Sequence, residues 1–391
     1  MAHSGGVVAR GYERIREAFD KAQADDPGGA QLCIYRHGEI VVDLWTGTDI
    51  VNSRPYGQDM LTVLMSCTKG ATAVCAHMLA ERGLLDFDAP VAKYWPQLAQ
   101  NGKEGVTVAH CLTHAAGLPT FPIASGITVS DLANWERCVS ALEQARPLWT
   151  PGRYGSYHAV TYGYLVGEVI RRVSGKSVGA FFAENIAGPL GLDFWIGLPD
   201  AQQSRVAPHI PRAAPDFRKL MAGAGVNVDD PIIVEILAGF DAIVQTIDFI
   251  NMPAGRGCEI PAANGVANAK SLARMYAACI GEVDGVRLLS KETVDRARQP
   301  RTKNLEPLPP LAHFPRPPGE GFGLGFGLSN PITQMLGVGS FGHDGAGGRL
   351  GYAHPEYGIA VGYACNSMLW DNFSPDPRWA WNAVLNEIVQ A

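Results

Sequence analysis

A chain of 391 residues exceeds what one small core organises, so two or three lobes, or one elaborated domain, are expected. With 47% hydrophobic and 18% charged residues, a net charge of −6 and no Lys/Arg run, it reads as an ordinary globular protein. That charge argues against binding to nucleic acid, which needs a basic surface to meet phosphates. No stretch of about 18 apolar residues occurs, so no membrane span is expected.

The opening residues, MAHSGGVVARGYERIREAFDKA, lack a basic segment followed by an apolar core. They predict an amphipathic helix with Tyr12, Ile15, Phe19 and Ala22 on one face, and a cytoplasmic location. Residues 32–47, LCIYRHGEIVVDLWTG, predict two strands joined at His37-Gly38. From Ser66 to about Arg82 a buried helix is expected, stopped by Gly83. Residues 86–120 read as irregular, with short helical pieces. A second helix is expected over 160–173, ended by Ser174-Gly175, then an apolar helical run near 231–246 and a third helix over 268–280. Proline makes 307–318 a loop. GFGLGFGLS, SFGHDGAGG with RLGYAHP, and YGIAVGYACN read as strands, and a helix over about 377–390 closes the chain. Strands at both ends with helices between them imply an α+β fold. An antiparallel sheet flanked by helices would come from 1–105 and 266–391. A mostly helical lobe, 106–265, would be inserted, with the active site between the two. The eight cysteines are scattered without a CxxC pair and read as free thiols.

Residues 65–70 read MSCTKG. Ser66 and Lys69, three apart on a helix, share one face about 5–6 Å apart at Cβ. A serine hydroxyl needs a base to become a nucleophile, and a lysine serves once burial depresses its pKa. At a helix start, the Ser66 N–H is also free to hold an oxyanion. The spacing alone reads as well as a capping serine and a surface lysine.

Two further stretches bear on that choice: YGSYHAVTYGYLVGE at 154–168 and FGHDGAGG at 341–348. Together with SxxK they resemble the serine β-lactamase and penicillin-binding protein superfamily. Its signatures are SxxK, a Tyr or Ser motif and a KTG-like strand. The chain is most similar to the class C β-lactamase-like branch that includes the family VIII carboxylesterases. VTVAHCLTHAAGLP at 106–119, RGLLDFDAPVAKYWP at 82–96 and ANAKSLARMYAACIGEVDGVRLLSKETV at 267–294 resemble connecting segments of that branch.

The resemblance implies a serine β-lactamase/DD-peptidase-like fold and a serine hydrolase acting on carboxylic esters with small acyl groups. Ser66 would attack the acyl carbon and Lys69 would share in deprotonating it. Tyr157 matches the tyrosine of YxN, with Tyr154 as its rival, and would exchange protons with Ser66, leaving group and water. His343, Asp344 and Gly345 fall where the family has KTG or HxG. His343 would polarise the site, and Ala346 N–H would join Ser66 N–H as oxyanion donor. Ala159 replaces the Asn of YxN and His343 the KTG lysine, which weakens a β-lactamase reading and leaves acyl-ester chemistry intact; the alternative is a β-lactamase, D-aminopeptidase or acyltransferase of the same fold. Arg349 and His354 carry no implied role. No metal or organic cofactor is implied, and the implied partner is a small-molecule ester.

Other matches explain themselves structurally. GKSVG at 175–179 fits GxSxG, but helix, not strand, precedes Ser177. GVGSFG at 337–342 precedes strand-like sequence, not the helix of a dinucleotide site. His110 and His114 lack a third ligand. Cys67 reads as a buried small hydrophobe. Phe121, Trp135 and Trp370 read equally as pocket or core.

Overall fold

The computed structural model describes residues 4–313, 321–370 and 374–391. Residues 314–318 of the expected proline loop lie outside them.

From the N-terminal end come β1 (Gly5–Val8), β2 (Gly29–Arg36), β3 (Glu39–Asp49) and the two-residue β4 (Arg54–Pro55). Next are β5 (Thr62–Val63), β6 (Phe194–Ile196) and β7 (Gly265–Ala267). The C-terminal end supplies β8 (Gly327–Leu328), β9 (Phe341–Gly345), β10 (Arg349–His354) and β11 (Ile359–Cys365). The large sheet runs β1-β3-β2-β11-β10-β9-β8, with β4 on β3, and all of its pairs are antiparallel. A second sheet runs β5-β7-β6. The two chain ends meet at the centre, where β2 pairs with β11 from Ile359↔Arg36 to Cys365↔Ala30.

Period-two alternation explains how this sheet is covered. On β2, Leu32 and Ile34 face one side, where helices Glu13–Gln23 and Ala380–Gln390 bury Ile15, Phe19, Trp381 and Leu385. Cys33 and Tyr35 face the other side, into the larger core with helices Ala269–Ile280 and Cys67–Glu81. Tyr12 caps the first helix, and Gln23 rather than Ala22 completes its buried stripe. His37 (φ 50°) and Gly38 (φ 86°) form the two-residue β2–β3 turn, whose twist requires positive φ at both positions. GFGLGFGLS supplies only the two residues of β8. SFGHDGAGGRLGYAHP folds back on itself as the β9–β10 hairpin.

The helix Thr161–Ser174 ends at Gly175, whose φ of 70° suits a glycine stop. It carries a buried anion, Glu168, whose side chain is 0% exposed. Trp135 Nε1 donates to it at 2.7 Å, Arg171 Nε at 2.7 Å and Arg172 Nε at 2.6 Å. Burial alone would push this carboxyl up, but the donors hold it below the usual range. Glu168→Ala should lower stability by about 2–3 kcal/mol at pH 7, a figure reduced because both arginines are partly solvated. The urea midpoint would report it. The contribution is present above the ordinary glutamate pKa and is lost as pH falls through the depressed folded value. No described helix is long and apolar enough to cross a membrane.

Candidate active site

Ser66 stands at the N-cap of helix Cys67–Glu81, with Leu64 and Met65 between it and β5. Met65, just before it, has a φ of 51°, a costly conformation for a side chain with Cβ. The surroundings fix it. Met65 O accepts from Thr68 Oγ1 at 2.6 Å and Thr68 N at 3.0 Å, while Thr68 Oγ1 itself accepts from Gly265 N at 2.8 Å. The strained turn thus orients Ser66 at the helix start. Among the described residues, no acceptor engages the N–H of Ser66 or of Ala346.

Lys69 is fully buried one turn on. Its Nζ lies 3.2 Å from Ser66 Oγ and donates to Ala159 O (2.8 Å) and Ala262 O (2.9 Å). Burial pushes its pKa down to about 7, against the pull of Asp344. A neutral amine has two N–H donors and one lone pair. With the two carbonyls taking the donors, the lone pair is left for the Ser66 hydroxyl proton.

The Tyr157 ring lies 4.8 Å from Lys69 Nζ, and its hydroxyl interacts electrostatically with the Ser66 side chain. The residue is 39% exposed to the cleft, yet its hydroxyl is desolvated, which pushes its pKa well above the ordinary tyrosine value. Tyr154 instead packs under Arg153 and bridges to Glu306. The segment ahead of the helix is clamped through His158. Its Nδ1 donates to Ser156 O (2.6 Å) and its Nε2 accepts from Leu118 N (3.1 Å). His114 packs on the Tyr157 ring at 4.6 Å and accepts from His158 N. His110 caps its own short helix. No described group of His, Cys, Asp and Glu could hold a metal ion.

The β9–β10 hairpin forms the opposite wall. His343 is 4% exposed, and its Nδ1 donates to Asp344 O at 2.6 Å, which leaves Nε2 as the unprotonated nitrogen. Burial pushes its pKa down to about 4, so the ring is neutral at pH 7. Its carbonyl accepts from Cys67 Sγ at 3.1 Å, tying β9 to the Ser66 helix. Gly345 is required by close approach: a Cβ there would meet Leu64 O at 2.3 Å. Arg349 is a residue to which the sequence assigned no role. Fully buried, it donates to Ala346 O (2.9 Å) and Val63 O (3.2 Å), and so anchors the turn carrying the Ala346 N–H to the strand before Ser66. His354 lies away from the cleft, stacked on Tyr357 at 4.2 Å.

Ser66, Tyr157, His343, Gly345 and Ala346 therefore line one cavity of about 920 Å³, with Lys69 beneath its floor. Its outer walls come from Phe217–Gly223, Pro231–Ile250 and residues 302–311, including Phe217, Phe240, Ile243 and Leu308, and from Trp370 near the chain's C-terminal end. Trp135 and Phe121 pack on Tyr164 instead. Ser177 is elsewhere: it caps helix Val178–Phe182, accepting from Ala180 N (3.2 Å) and donating to Glu259 (2.6 Å).

The sequence profile of the family described as Beta-lactamase matches residues 15–385. The chain belongs to the Beta-lactamase family. Esterase/beta-lactamase LipL of Mycobacterium tuberculosis (strain ATCC 25618 / H37Rv) is 35% identical over 354 residues, covering 88% of this chain and 78% of that protein. The crystal structure of a family VIII carboxylesterase shares 31% identity with a TM-score of 0.80, covering 99% of this chain and 100% of its own. EstA from Arthrobacter nitroguajacolicus Rue61a shares 29% identity with a TM-score of 0.82, covering 100% and 99%. The antiparallel sheet flanked by helices is the fold of these family members.

Proposed function

We propose that the chain is a serine ester hydrolase working through an acyl-enzyme on Ser66. The site lies between a lobe of residues 1–105 and 266–391 and one of residues 106–265. The observation that carries this reading is the Lys69 Nζ–Ser66 Oγ contact of 3.2 Å, made by an amine with a pKa near 7. The relative named Esterase/beta-lactamase LipL and the family VIII carboxylesterase structure support the substrate class.

Neutral Lys69 takes the Ser66 proton as Oγ attacks the acyl carbon. The oxyanion is held by the N–H groups of Ser66 and Ala346, beside the N-terminus of a fifteen-residue helix. Tyr157, kept as a phenol by burial, donates its proton to the departing alkoxide and recovers one from the protonated lysine. Water then enters on the Tyr157 side, its proton passes through Tyr157 to Lys69 and on to Ser66 Oγ as the Oγ–acyl bond breaks, and the acid is released. Lysine pushed down and tyrosine pushed up separate base from acid. His343 offers no cation to a substrate carboxylate at pH 7, and Ala159 offers no side-chain amide.

The acyl group is read as small, with the apolar cavity holding a bulkier alcohol portion. A panel of p-nitrophenyl acetate, butyrate and octanoate with a chromogenic cephalosporin tests this. Acetate and butyrate should be turned over fastest and the cephalosporin weakly. Preference for octanoate would place the acyl chain in the large cavity, and cephalosporin turnover matching the esters would favour the β-lactamase reading.

A further inference from the structure

We propose that Asp344 makes this cleft exclude anions: it selects neutral and cationic esters and turns away those with a carboxylate near the scissile bond. The inference rests on the esterase reading and deepens it.

Asp344 lies on β9 between His343 and Gly345 and lines the same cavity as Ser66. Its side chain is 49% exposed. Among the described residues, no lysine or arginine comes within ion-pair distance. Its partner at 3.9 Å is His343, a neutral ring at pH 7. The other carboxylates among the described lining residues are already paired, Glu306 with Arg153 and Asp376 with Arg378. Among the described lining residues, Lys303 is the one lysine and no arginine appears. The field of Asp344 reaches the reacting groups, since it raises the pKa of both Lys69 and Tyr157. An anionic substrate group seated beside Asp344 would lose hydration and meet like charge, and Lys69 beneath the floor is neutral in the form that activates Ser66. At about 6 Å and an effective dielectric near 20, that repulsion corresponds to tenfold to about a hundredfold in kcat/KM. A substrate cation would gain from the same field and from the neighbouring Tyr157 and Phe322 rings, which stack at 6.0 Å.

The test uses three aryl acetates of similar shape: 3-acetoxybenzoate, its methyl ester and 3-acetoxy-N,N,N-trimethylanilinium. Their kcat/KM ratios are compared in wild type and Asp344→Asn, at about 20 mM and 500 mM salt. Wild type should turn over the cation at least as well as the methyl ester, and the benzoate about tenfold or more below it. Asp344→Asn should close most of that gap, and salt should narrow it in wild type. Equal discrimination in both proteins, independent of salt, would overturn the inference. If the Asn variant does not fold, the wild-type salt dependence decides alone. Failure of wild type to hydrolyse the neutral methyl ester would instead overturn the esterase reading beneath it.

Discussion

Replacing Ser66 by alanine is expected to lower ester turnover by about 10³-fold or more and to abolish labelling by a fluorophosphonate, with the protein still folded. Stability should be nearly unchanged, because the Ser66 side chain makes no cap hydrogen bond to its helix and its contacts are with Lys69 and Tyr157. The informative control is Ser177→Ala. That serine does cap its helix and also bonds Glu259, so its loss should cost about 1 kcal/mol of stability and leave turnover intact. The two variants therefore separate in opposite directions, one losing activity and the other stability. Activity lost in Ser177→Ala and kept in Ser66→Ala would mean that the nucleophile had been misassigned. Loss in neither would remove the acyl-enzyme mechanism.

What the sequence makes legible here is mostly local. The His37-Gly38 turn, the buried helix after Ser66 and the glycine stop at Gly175 each follow from a few neighbouring residues. The strands missed were those with no local pattern. β1 has four residues, and β5, β6 and β7 have two or three each, all defined by partners far along the chain. The site divides the same way. Ser66 and Lys69 are related by helical spacing, whereas Tyr157 and His343 lie about 90 and 280 positions away and could be joined to them only through family resemblance. Arg349 was opaque because a charged residue in a strand ordinarily reads as solvent-facing. Its partners are backbone carbonyls of Ala346 and Val63, which sequence does not reveal. The left-handed Met65 was equally invisible, since its strain is held by Thr68 and, through Thr68, by Gly265. Of the cavity walls, the sequence shows the apolar helical run near 231–246. That Phe240 and Ile243 face the cleft depends on how that helix docks.

The second large effect is on pH dependence and belongs to Lys69. In the free protein kcat/KM should fall tenfold per unit below a midpoint near pH 7 and level off above it. The sign follows from the role. The neutral amine is the base, so protonation on the acid side removes activity, and burial has moved that protonation down from the ordinary lysine value of 10.5. Left at 10.5, only about one molecule in a thousand would carry a neutral lysine at pH 7.5; at about 7, most do. Burial thus makes the base available at neutral pH. Asp344 opposes it, so the balance between desolvation and that carboxylate sets the midpoint. Lys69→Arg should lose about 10³-fold at every pH from 6 to 9, because a guanidinium does not deprotonate in this range. An acid limb centred near 10, or an active Lys69→Arg, would show that something else accepts the Ser66 proton. Tyr157 would then have to act as phenolate, against a burial that pushes it the other way.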